Sequence, residues 1–168
     1  MKHFIITLMF VGLIMPPAFA LSCMAPNIFR SAQFLHEQDE DYILFKGTVT
    51  LKNALEHSGY SNKPKPKRTK AQTRGINLLT NKPFNKSVTV QQHCLGPWCG
   101  STAEKHIKGL IYIKKTDQQY TVALSPCGGT IFPAPEKDDE TALIQCIKEQ
   151  NCEKPPIPVS YTHLRAHE

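Results

Sequence analysis

Six cysteines constrain this chain more than any other feature. They are Cys23, Cys94, Cys99, Cys127, Cys146 and Cys152, and all follow an export-type leader. Lys2 and His3 open that leader and Phe4 to Met15 is an apolar run. Pro16 and Pro17 stop any helix there, and Ala18-Phe19-Ala20 is a small-residue cleavage pattern. The expectation is a signal peptide over 1–20, removed before Leu21. The run is shorter than the ~20 residues a bilayer span needs, so no stable span is expected after cleavage. An even set of cysteines in a small exported domain reads as disulfides, in the periplasm or outside the cell.

Sequence alone does not choose the pairing. Cys146 falls on a predicted helix and Cys152 just beyond its end, which allows a short return link. Cys94 and Cys99 bracket the turn-forming stretch Leu95-Gly96-Pro97-Trp98. Cys23 is then left for Cys127. The alternative is Cys23–Cys99 with Cys94–Cys127.

A chain of 168 residues that is 40% hydrophobic has room for one globular domain, read here as 21–155. Wholly disordered and multi-span classes are excluded by that apolar fraction and by the lack of a second long apolar run. The tail at 159–168 resembles translated adapter read-through and is set aside with the leader. The net charge of +6 is concentrated in one segment. Lys63, Lys65, Lys67, Arg68, Lys70 and Arg74 have no acid among them, and the rest of the domain is close to neutral. This stretch is polar, basic and broken by proline, so 52–74 reads as a long mobile loop.

Periodicity supplies the elements. Ile28, Phe29, Ala32 and Leu35 share a helical face within 25–37. Tyr42 to Leu51 alternates as a strand, with Tyr42 and Leu44 making its start apolar on both faces. Shorter strands are expected at 75–80, 86–92, 107–114 and 119–125, and a final helix at 138–150. Asp138, Asp139 and Glu140 suit the start of that helix. The fold class is therefore mainly β with flanking helices. The expected architecture is a small five-stranded barrel of the oligonucleotide/oligosaccharide-binding type, with an N-terminal and a C-terminal helix and disulfide staples. An open α+β sheet is the competing arrangement.

The chemistry-bearing residues are sparse. Ser101 and Ser125 have no histidine and carboxylate in a recognisable spacing, so no catalytic residue is assigned and the chain reads as a non-enzyme. Cys94 and Cys99 with His93 and His106 are loosely compatible with zinc, and the same two cysteines with a redox pair. An oxidising compartment favours a disulfide there, so no metal or other cofactor is assigned. The six cations at 63–74 are the candidate contact for an anionic partner, either a protein or an anionic polymer. They are not interleaved with aromatics, and the compartment is wrong for nucleic acid, so that partner is not expected. A monomeric binding module follows. Inhibition of a secreted or periplasmic hydrolase is the alternative, and thiol or metal chemistry at Cys94/Cys99 a further one.

Cys23-Met-Ala-Pro26, the segment Asp41-Tyr-Ile-Leu-Phe-Lys-Gly-Thr-Val49, Cys99-Gly100 and Cys127-Gly-Gly-Thr130 form an ordered set. The set resembles a remote bacterial version of the tissue-inhibitor-of-metalloproteinases-like (netrin-module) domains. The Cys-Leu-Gly-Pro-Trp-Cys-Gly segment is similar to exported alphaproteobacterial proteins. The resemblance implies a five-stranded barrel with flanking helices. It also implies a free α-amino group on the first cysteine for inhibition. Here Leu21 and Ser22 precede Cys23, and no second cysteine lies two residues after it.

Overall fold

The computed structural model describes residues 22–38, 40–56, 64–117 and 119–152. The expected signal at 1–20, the tail at 159–168 and Lys63 lie outside the described residues. In chain order the elements are α1 (Ile28–Glu37), β1 (Tyr42–Leu51), β2 (Arg68–Asn77), β3 (Lys82–Pro83) and β4 (Ser87–Gln92). They continue with β5 (Cys94–Leu95), β6 (Trp98–Cys99), β7 (His106–Lys115), β8 (Tyr120–Leu124), β9 (Ile131–Phe132) and α2 (Lys137–Glu149).

Five strands close on themselves. β1 pairs antiparallel with β2 on one edge and with β7 on the other. β2 pairs antiparallel with β4, β4 runs parallel to β8, and β8 returns antiparallel to β7. The circuit β1-β2-β4-β8-β7-β1 is a small closed barrel of the oligonucleotide/oligosaccharide-binding type, and the open-sheet alternative does not form. Closure satisfies both edges of each long strand, which suits a domain of this size.

Strand alternation divides β1 between two cores. Ile43, Phe45, Val49 and Leu51 point into the barrel with Val88, Val90, Ile111, Ile113 and Val122. Leu44 points outward beneath the helices, with Leu110, Tyr112 and Phe132. Phe29, Ala32 and Leu35 of α1 and Leu143 and Cys146 of α2 cover that outer patch. This explains why the first half of β1 is apolar on both faces. Gly47 lies opposite both Gly75 and Gly109, so three glycines stand side by side across β2, β1 and β7. A Cβ on Gly47 would stand 2.7 Å from the Phe45 ring, and one on Gly75 would stand 2.8 Å from it. The carbonyls of Arg74 and Lys46 stand closer still, so backbone and ring together fill the space that side chains would need.

Local chemistry sets the helix ends. α1 begins three residues later than the expected bound at 25, because Pro26 precedes a cap at Asn27. The Asn27 Oδ1 accepts from the N–H groups of Phe29 and Arg30, each at 3.0 Å. α2 carries Asp138, Asp139 and Glu140 in its first turn, favourable to the helix dipole. Glu140 also pairs with Lys46 and so fastens the helix to β1.

The disulfides are Cys23–Cys127, Cys94–Cys99 and Cys146–Cys152. The alternative crossing pair is not formed. Three bridges and no free cysteine among the described residues suit an oxidising compartment.

One sequence expectation is corrected here. The segment 52–74 is not a loop throughout: from Arg68 it is a ten-residue strand at the heart of the barrel. Its inward residues are Thr69, Ala71 and Thr73, small or hydroxylated, so the hydropathy does not alternate although the geometry does. Thr73 Oγ1 shares its single proton between the carbonyls of Phe84 and Lys86, at 3.2 and 3.0 Å, and accepts from Lys86 N–H at 2.8 Å. A buried hydroxyl is tolerated because its bonding is complete. The strand expected at 75–80 is the end of β2, followed by a turn.

Candidate functional site

β2 turns the basic segment into an ordered row. Arg68, Lys70, Gln72 and Arg74 are exposed while Thr69, Ala71 and Thr73 are buried. Side chains two apart on a strand are about 6.6 Å apart, so Arg68 to Arg74 spans about 20 Å. Lys65 and Lys67 lie on the approach to the strand, and both are exposed. That approach is tied down too. Lys67 N–H donates to Gln92 Oε1 at 3.0 Å, and Gln92 N–H donates to the Lys67 carbonyl at 2.9 Å.

Neighbouring strands extend the surface. Register aligns Arg74 with Thr48 of β1, and Thr48 with Lys108 of β7. The next row is Gln72, Thr50 and His106, in which His106 Nδ1 lies 3.2 Å from Thr50 Oγ1. On the other side Lys70 faces Thr89 of β4, with Nζ 3.5 Å from Oγ1, and Arg68 faces Gln91. The face is thus cations set among threonine and glutamine. No carboxylate occupies these rows, and Glu104 follows only at the rim before β7. The ion pairs of the described residues, Lys46–Glu140, Lys114–Glu40 and Lys115–Asp41, use none of these cations. Lys108, Thr48 and Thr50 were not singled out from sequence. Their signal is the polar half of the alternation in β1 and β7.

Cys94 and Cys99 are bonded to each other, and His93 and His106 are both exposed. No group of three or more His, Cys, Asp or Glu among the described residues is placed to hold a metal ion. Ser125 Oγ accepts from Cys127 N–H at 3.3 Å, shaping the turn that carries the disulfide. Ser101 and Ser125 do line a cleft of about 460 Å³, with Ile107, Lys108, Thr130 and Phe132, but no histidine lines it. Asp138 and Asp139 are exposed at the start of α2.

Two further features surround the site. Ser22 to Pro26 is an exposed strip anchored by Cys23–Cys127, and a Cβ on Gly128 would meet the Pro26 ring at 2.9 Å. At the opposite end Lys114 and Tyr42 both hydrogen-bond Glu40, Lys114 most strongly, and hold its carboxyl below the usual range. Burial, and then the bond to Glu40, pushes the Tyr42 phenol up; burial does the same to Tyr112.

No protein-family model, no curated protein and no solved structure matches this chain.

Proposed function

We propose that the protein is an exported, non-catalytic binding module that engages an anionic partner through the cationic outer face of β2 and its neighbours. The observation that supports this is the alternation on β2. It fixes Arg68, Lys70 and Arg74 outward on a rigid strand, with none of them neutralised by an ion pair among the described residues. A rigid row loses less side-chain and backbone freedom on binding than a loop would. Charge contacts of this kind weaken as salt rises.

The test is retention of the oxidised protein on an immobilised polyanion over a salt gradient. The unmodified chain is expected to elute well after a Lys70→Glu/Arg74→Glu variant of the same disulfide content. Equal elution of the two would remove β2 from the contact. A second reading, inhibition of a secreted or periplasmic hydrolase, draws support from the exposed strip at Cys23 pinned by its bridge to Cys127. It requires trimming to make Cys23 the first residue. N-terminal sequencing of the exported protein, followed by hydrolase assays, tests it.

A further inference from the structure

The β5–β6 hairpin has no role in the reading above, yet its construction is specific. Cys94 lies opposite Cys99, and Leu95 lies opposite Trp98. Opposed residues of an antiparallel pair share a face, and successive residues alternate. The disulfide therefore occupies one face and Leu95 with Trp98 the other. Cys99 is buried, whereas Leu95 is 48% exposed. Gly96, at φ 58°, and Pro97 form the tip, and the Trp98 ring lies 3.9 Å from where a Gly96 Cβ would be. The result is a small apolar knob braced by its own disulfide.

The knob stands in basic surroundings. The hairpin leaves β4 at Gln92, and Gln92 exchanges hydrogen bonds with Lys67. Lys65, Lys67 and Arg68 therefore run beside the root of the hairpin. Lys52 and Lys105 belong to the same barrel end, since Leu51 N–H donates to the Lys105 carbonyl at 2.8 Å. Among the described residues these cations outnumber the carboxylates there, Glu56 and Glu104. A soluble polyanion would gain nothing from Leu95. An anionic lipid surface would use both parts: headgroup phosphates attract lysine and arginine, while leucine and tryptophan partition into the interface.

We propose that this end of the barrel docks on an anionic phospholipid surface, with Leu95 and Trp98 entering the headgroup layer and Lys65, Lys67 and Arg68 meeting lipid phosphates. The proposal rests on the anionic-partner reading and names that partner.

Trp98 is the single tryptophan of the chain, so its emission reports the knob directly. The oxidised, signal-cleaved protein is mixed with vesicles of phosphatidylglycerol and phosphatidylcholine, and separately with phosphatidylcholine alone. Co-sedimentation and a blue shift of Trp98 are expected with the first and neither with the second. Leu95→Ser, at an exposed position, is expected to weaken binding about tenfold and reduce the shift. Lys65→Gln/Lys67→Gln/Arg68→Gln is expected to weaken it roughly 100-fold. Vesicle binding with unchanged Trp98 emission and no effect of Leu95→Ser would overturn the proposal, because the contact would then be charge alone. Retention on a polyanion column without any vesicle binding would also overturn it, while leaving the anionic-partner reading intact. Failure of both assays would remove both.

Discussion

Gln150 shows how much a single position can carry. It ends α2 at φ 57°, the left-handed region where glycine is usual. The turn is closed by Asn151 N–H on the Cys146 carbonyl at 3.1 Å and by the Cys146–Cys152 bridge. Gln150→Gly is expected to raise stability by about 1 kcal/mol, read from a denaturant midpoint with the disulfides intact. Tyr112 carries a different message. Its hydroxyl donates to the Ile28 carbonyl at 2.9 Å, joining β7 to the start of α1, and burial raises its pKa. A phenol held up in the folded state lends stability that is fully present below the ordinary value of 10. That stability is lost as pH climbs above it. Tyr112→Phe is therefore expected to flatten the fall in stability above pH 10, at a cost near neutrality of about 1 kcal/mol for the lost bond. An unchanged alkaline slope would contradict the burial of this hydroxyl.

Among the elements, legibility followed the size of the inward side chains. β1 matches its expected bounds because isoleucine, phenylalanine, valine and leucine alternate along it. The two helices and β4, β7 and β8 were legible for the same reason, to within a few residues. β2 was hidden because threonine and alanine fill its inward positions, and because lysines and prolines upstream give the whole stretch a loop-like composition. The site was half legible as a consequence. The cations were visible, but their fixed spacing and their alignment with Lys108, Thr48 and Thr89 depend on pairing that no local pattern encodes. Deleting 64–74 is accordingly expected to abolish cooperative unfolding, since it removes the strand between β1 and β4. A milder change makes the same point. Thr73→Val would remove the bond from the Lys86 N–H and is expected to cost about 1 kcal/mol by denaturant titration.

At the scale of the molecule, three disulfides staple a small barrel, and they are unequal. Cys23–Cys127 closes a separation of 104 residues, whereas Cys94–Cys99 and Cys146–Cys152 close 5 and 6. On chain entropy the long link stabilises by about 4–5 kcal/mol and the short ones by about 2 each. Replacing Cys23 and Cys127 by serine should therefore lower the thermal midpoint most. The long link also holds the N-terminal strip against the turn at Gly128, on which the hydrolase-inhibition reading depends. The central claim is that the cations of 68–74 are displayed on a barrel strand as a binding surface. Hydrogen exchange of the oxidised protein, alone and with a soluble polyanion, tests this most directly. Slow exchange is expected at the β2 amides in the free protein, with polyanion-dependent changes confined to β2, its neighbours β1 and β4, and β7 beyond β1. Loop-like rapid exchange across 69–73, or changes centred on other elements, would contradict it.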